Sequence, residues 1–287
     1  MTTHRSGEAK AEAEAIATSE RAETRVRIIT AAEHELAGVG AAQLSMRAIA
    51  RELHLTVGAL YRYFDGRDDL LTELISRAYS SMGRAMAKAD SVQTRSGASH
   101  LRRWVAVWSA AFAWAQAHPQ QFQLIYGTPV IGYSAPTSTV EPATTVIRVL
   151  LQIVLDARSC RRPAPDDGAQ LIDAAQLIDA DDLARVREWV RHESASEDAS
   201  ADAASLGAAE VFALISAWTS LVGTISFSLG GHYRGSIENV PVYLQGLAVE
   251  HARHLGLLPE PSAADARLGE RTAASTPPRR SRRGGAQ

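Results

Sequence analysis

Only one cysteine, Cys160, stands in 287 residues. A lone thiol closes no internal disulfide and builds no multi-cysteine zinc site, so the fold must rest on its apolar core. A chain without disulfides also suits a reducing compartment. Charge of one sign is lacking too: 30 Lys and Arg against 32 Asp and Glu leave a formal net charge of -2. Affinity for a polyanion must then come from a local basic surface. No apolar run comes near the length of about eighteen residues that crosses a bilayer. The polar, alanine-rich start Met1–Ser19 has no apolar stretch of a secretory leader. The expectation is a cytoplasmic chain with no membrane contact.

Catalytic signatures are also missing. There is no glycine-rich phosphate loop, no His-Glu-x-x-His zinc helix and no Gly-x-Ser-x-Gly elbow. Among nine histidines, only His251 and His254 share a helical face near a helix end, where histidines complement the dipole more often than they bind metal. No catalytic residue, metal or cofactor is expected. An all-α enzyme is the rival class, separable by an assay for turnover.

Strand signals are absent as well, since no run of alternating β-branched residues sits between hairpin turns. What the sequence has is helix. Apolar residues recur at helical spacing over 21–37, 45–53, 57–63, 67–89, 99–117, 119–126, 140–157, 169–193, 205–230 and 241–255. The fold class is all-α. Residues 1–20 and the Pro/Arg-rich 259–287 read as disordered tails, the second ending in the arginine cluster 279–283. Loops are expected at 158–168, around Cys160, and at 192–205. Between them Ala169–Ala174 is repeated as Ala175–Ala180, a period too short for a solenoid.

One constellation carries chemistry. A first helix with Ile29, Ala32 and Leu36 on one face stops at Gly38-Val-Gly40. Ser45 then caps a short helix in which Met46, Ile49, Ala50 and Leu53 form an apolar stripe. After a turn at His54-Leu55, Thr56 caps a second short helix over Val57–Tyr63, with Leu60 and Phe64 pointing inward. Two short helices so joined make a helix-turn-helix, whose second helix enters the DNA major groove. The outer residues suit that task. Thr56 reaches a phosphate or a base edge, Val57 a thymine methyl, and Gly58 allows close approach. Tyr61 and Tyr63 offer hydroxyls to phosphates, and Arg62 reaches a guanine edge or a phosphate. Ser45 and Arg47 stand at a helix start that attracts phosphate, and Arg67 is placed to clamp the backbone. The bland alternative is a three-helix core whose tyrosines merely pack.

The runs Thr30–Gly40, Ser45–Leu53, Val57–Phe64 and Asp68–Leu71, above all the Gly-x-Leu-Tyr-x-x-Phe block at 58–64, resemble the TetR/AcrR regulator family. The family's usual lysine at the start of the fourth helix is Arg67 here, which keeps the charge. The resemblance implies phosphate contacts from Ser45, Thr56, Tyr61, Tyr63 and Arg67, with Val57, Gly58 and Arg62 facing bases. It implies a homodimer on a palindromic double-stranded DNA operator and a small-molecule effector. A repressor is the leading role and an activator the alternative.

The domains expected are 21–75 for DNA binding and 76–258 for ligand binding and dimerisation. In the second, Trp104, Trp108, Ala111 and Ala115 share a helix face with Phe112 beside them. Gly127, Pro129, Gly132 and Pro136 interrupt the helical pattern, and this segment, with 217–232, is similar to the WHG-type subgroup although the Trp-His-Gly triplet is absent. Apolar pockets between helices hold small ligands; Trp108, Phe112, Tyr126, Tyr133 and Trp218 are the candidate lining. Small residues Ala208, Ala209, Ala213, Ala217 and Gly223 make 205–230, with 241–255, the candidate dimer-forming pair.

Overall fold

The computed structural model describes residues 2–159, 178–193 and 206–258, with side chains from Thr18 onward except at 192–193. Cys160, the first hexapeptide copy, the acidic loop after Glu193 and the arginine-rich C-terminus lie outside the described residues. Among those described, there are ten α-helices and no strand. They are α1 (Thr2–Val39), α2 (Met46–Glu52), α3 (Val57–Leu60), α4 (Arg67–Arg95), α5 (His100–Ala117), α6 (Pro119–Tyr126), α7 (Val140–Ser159), α8 (Ala180–Glu193), α9 (Ala208–Leu229) and α10 (Val240–His254). Two 3-10 turns sit at Ala41–Gln43 and Thr137–Thr139.

The segment expected as an N-terminal tail instead continues the first helix back to Thr2. Its composition explains this: alanine and glutamate, strong helix formers, dominate the stretch before Arg21. Gly40, at φ 75°, then reverses the chain in a conformation that side chains with a Cβ avoid.

Two hydrophobic cores result. The smaller gathers Ile28, Ile29, Ala32 and Leu36 of α1, Leu44, Ile49 and Ala50 around α2, and Leu60 and Phe64 after α3. The larger is built on α5, α7, α9 and α10. Helix α4 serves both: Leu70, Leu71 and Leu74 enter the small core, while Ala78, Met82 and Met86 enter the large one. A rigid 29-residue helix therefore joins the two domains. Arg25–Glu73 at 2.8 Å and Arg77–Glu33 at 3.1 Å tie its first half to α1.

Two contacts fix α4 against the larger domain. Arg103 of α5 is buried and makes paired hydrogen bonds to Asp90 of α4, at 2.7 and 3.0 Å, and another to Asp156 of α7 at 2.7 Å. Burying that cation is tolerable because two carboxylates replace its water. Where α4 crosses α7, a Cβ on Gly83 would lie 2.6 Å from Thr145 Oγ1, so only glycine permits the approach. Farther along, Trp104 Nε1 donates to Ala248 O at 3.0 Å, pinning α10 onto α5.

Helices α7, counted with its 3-10 turn, and α9 are long and apolar enough to cross a membrane by length and composition alone. Each turns one face into the large core. The small residues of α9 act there: Ala213 and Ala217 are buried within their own protomer. The outer face of α9 and α10 carries other side chains, the exposed Phe212, Ile215, Phe227, Val242 and Tyr243.

Candidate DNA-binding face and ligand cavity

The helix-turn-helix is built by two side-chain caps and one unusual turn. Ser45 Oγ accepts from Ala48 N at 3.4 Å, and Thr56 Oγ1 accepts from Ala59 N at 3.2 Å. Each cap uses an oxygen lone pair and leaves the hydroxyl proton for an outside acceptor. Between the helices His54 adopts φ 56°, the left-handed region. Its short polar side chain tolerates that conformation better than a β-branched one. His54→Val is therefore expected to destabilise the N-terminal core by roughly 1 kcal/mol in thermal unfolding, whereas His54→Gly is expected to be tolerated.

Helix α3 is a single turn, and hydrogen bonds from Tyr63 N and Phe64 N to Leu60 O carry the coil on to Phe64. Leu60 and Phe64 are buried as expected. Arg47, Thr56, Gly58, Tyr61 and Arg62 are exposed together, while Ser45, Val57 and Tyr63 are half-buried beside them. Arg67 also has a task inside the fold. Its guanidinium donates to Leu44 O at 3.1 Å, Ala41 O at 2.7 Å and Ala42 O at 3.2 Å, so it braces the loop before α2. Sequence reasoning passed over Arg21, which donates to Arg62 O at 3.1 Å and lies 5.9 Å from the Tyr63 ring centre. It supports the recognition segment from α1, a contact across 41 positions that no local motif announces.

In the larger domain a cavity of about 960 Å³ opens between α4, α6, α7, α8, α9 and the loop 127–136. Tyr126, Tyr133 and Trp218 line it, as expected. Trp108 and Phe112 do not. Trp108 is fully buried against Trp104 and His251, with ring centres 6.0 and 5.6 Å away, and Phe112 packs on the large core. The aromatic stripe of α5 is core because α10 covers it, which the spacing within α5 does not reveal. His251, one of the two histidines weighed as metal ligands, is thereby half-buried. Burial and the nearby His254 hold its imidazolium below the usual range, with Glu250 opposing.

The cavity also draws on residues that were not among the candidates. Ile75 and Tyr79 belong to α4, Leu124 to α6, and Val130 to the break after it. Among the described lining residues Glu210 is the one carboxylate, and there is no Lys, Arg or His. Its Oε2 accepts from Gly207 N at 2.9 Å and pairs with Arg158. Among the described residues the lining is therefore apolar, with its one charge already engaged.

The two domains meet at this cavity. Leu124, Val130 and Tyr133 line it and also pack against the small core of the helix-turn-helix. The Tyr133 hydroxyl lies 3.0 Å from Thr72 Oγ1 on α4. Thr72 already donates to Asp68 O at 2.9 Å, so Tyr133 is the donor. One wall thus serves both the cavity and the DNA-binding domain.

Residues 28–74 match the family model for bacterial regulatory proteins of the tetR family, and residues 104–243 match the tetracyclin repressor-like C-terminal domain. The chain belongs to the TetR family of transcriptional regulators. It is a helix-turn-helix regulator with a DNA-binding N-terminal domain, in a family that is not enzymatic. Relatives include the HTH-type transcriptional regulators Mb1846 of Mycobacterium bovis and Rv1816 of Mycobacterium tuberculosis, each 37% identical over 129 residues. Those matches cover 44% of this chain and 54% of theirs, so the chain spans about half the length of the curated relatives. The crystal structure of the regulatory protein SCO4313 is 29% identical, with a TM-score of 0.57 over 82% of this chain and 97% of that one. A protein of unknown function from Rhodococcus sp. RHA1 shares the fold at 20% identity, with a TM-score of 0.54 over 80% of this chain and 93% of its own.

Proposed function

We propose that this TetR-family regulator is a homodimeric repressor that leaves a palindromic operator when a mostly apolar small molecule fills its cavity. The observation that carries the reading is the shared wall: Leu124, Val130 and Tyr133 face the cavity and pack on the helix-turn-helix core. A ligand releases DNA only if it favours the conformation that binds DNA poorly. A wall with two faces supplies that difference, because filling one side displaces what rests on the other.

On the DNA side, Arg62, Gly58 and Val57 take the base edges. Ser45, Arg47, Thr56, Tyr61 and Tyr63 take phosphates. Arg67 braces the loop through Nε and one terminal nitrogen, which leaves the N–H groups of its other terminal nitrogen for a phosphate. Affinity should fall steeply with salt through counterion release. Tyr61→Phe, at an exposed position, is expected to cost about 0.5–1.5 kcal/mol of operator affinity with no loss of stability. Titration of labelled operator at two salt concentrations checks both. Exposed apolar residues on α9 and α10 support the dimer, which lets two recognition segments reach half-sites about 34 Å apart.

The test is a gel-shift titration against DNA flanking the chain's own gene, with and without neutral hydrophobic compounds that raise its melting temperature. Compounds that bind yet leave operator affinity untouched would reduce the cavity to packing.

A further inference from the structure

Three tyrosines line the cavity, and two have their hydroxyls engaged. Tyr79 Oη donates to Ile125 O at 3.1 Å, and Tyr133 donates to Thr72. The third, Tyr126, has a buried hydroxyl with no hydrogen-bond partner, and so has the indole N–H of Trp218. Their ring centres lie 6.4 Å apart at 67°, which sets the indole N–H beside the phenol oxygen. Lining hydroxyls of Thr139 and Thr144 donate to Pro136 O and Glu141 O. Among the described lining residues, two buried donors are therefore left without acceptors, which is costly.

Their chemistry sets a direction. An indole N–H only donates, whereas a phenol accepts and donates. If a small rotation of Tyr126 closes the Trp218-to-Tyr126 bond, the phenol O–H is left pointing onward as a donor. Such a chain polarises itself and strengthens the outer donor. Burial pushes the Tyr126 phenol well above its usual range, so it keeps that proton. An anionic ligand would find no cation among the described lining residues, and the Glu210 carboxylate is already paired.

Resting on the sensor reading of the cavity, we propose that its ligand is a neutral, largely apolar molecule whose carbonyl-type acceptor is held by Tyr126, backed by Trp218. The acceptor gives the ligand its orientation, and the apolar remainder fills the space toward α7 and α8.

Binding to the full chain without DNA, measured by calorimetry, tests this with two matched sets. One is 9-fluorenone, fluorene and fluorene-9-carboxylate; the other is 2-tridecanone, tridecane and tridecanoate. At least one ketone is expected to bind about tenfold more tightly than both its hydrocarbon and its carboxylate. Tyr126→Phe is expected to erase that preference while leaving hydrocarbon affinity intact, which also certifies the fold. Trp218→Phe is expected to reduce it. The proposal is overturned if ketone and hydrocarbon bind alike, if the carboxylate binds best, if no ketone binds, or if Tyr126→Phe keeps the preference. Operator release is read separately: a ketone that binds through Tyr126 without releasing DNA sinks the sensor reading and leaves the acceptor site standing.

Discussion

Gly246→Arg is expected to leave each protomer folded and to remove nearly all operator binding. Gly246 lies in the middle of α10, exposed, and a Cβ added there would meet nothing within 4 Å. A helix-interior glycine costs about 1 kcal/mol relative to better helix formers, so arginine burdens the protomer with nothing. Around it stand Val242 and Tyr243, and α9 adds Phe212, Ile215 and Phe227, all exposed. Monomeric proteins seldom leave such a patch to water. In a two-fold interface one substitution appears twice, setting two guanidinium groups into a desolvated apolar contact. The mass in solution should halve, and operator affinity should fall more than about a hundredfold because one half-site alone is read. Gly246→Ala should stay dimeric. A Gly246→Arg variant that remains a dimer and still binds would remove this face from the interface. Ala217, on the segment whose small residues suggested the partner contact, is the wrong probe. It is fully buried in its own core, and a charge there would unfold the protomer.

Local signals in this chain were legible and distant ones were not. The caps Ser45 and Thr56, the apolar stripe Met46, Ile49, Ala50, and the inward Leu60 and Phe64 all follow from residues a few positions apart. The break at Gly127–Pro136 marked a segment that lines the cavity. Trp108 could not be separated from Tyr126 in this way, since its burial depends on α10, more than a hundred positions on. Arg67 shows the same limit. A basic residue opening a helix near a DNA-reading turn suits a phosphate, but its second task, holding three loop carbonyls, depends on residues more than twenty positions back. Of the small residues in α9, Ala213 and Ala217 pack closely, while a Cβ at Gly223 would meet nothing, and the sequence did not say whose helix they pack on.

Tyr133→Ala is expected to uncouple the two domains while each still works. In the unmodified chain, a hundredfold loss of operator affinity on ligand binding corresponds to about 2.7 kcal/mol of coupling. That coupling needs a physical element which both sites bias, and Tyr133 touches both: its ring lines the cavity and packs on the small core, and its hydroxyl donates to Thr72. Removing the ring leaves Leu124 and Val130 with no filled wall to press through. Ligand should still raise the melting temperature and DNA should still bind, but ligand should weaken the operator complex by less than about threefold, leaving roughly 0.7 kcal/mol of coupling. Thr72→Val separates the hydrogen bond from the packing, because Thr72 is not among the lining residues and valine keeps its shape. It deletes one hydrogen bond worth about 0.5–1.5 kcal/mol, so the hundredfold response should shrink by roughly two- to tenfold at unchanged ligand affinity. The measurement is a set of operator titrations with and without saturating ligand for both variants. A full hundredfold response in Tyr133→Ala would move the coupling away from this wall, leaving the crossing of α4 and α7 at Gly83 and Thr145 as the route to examine.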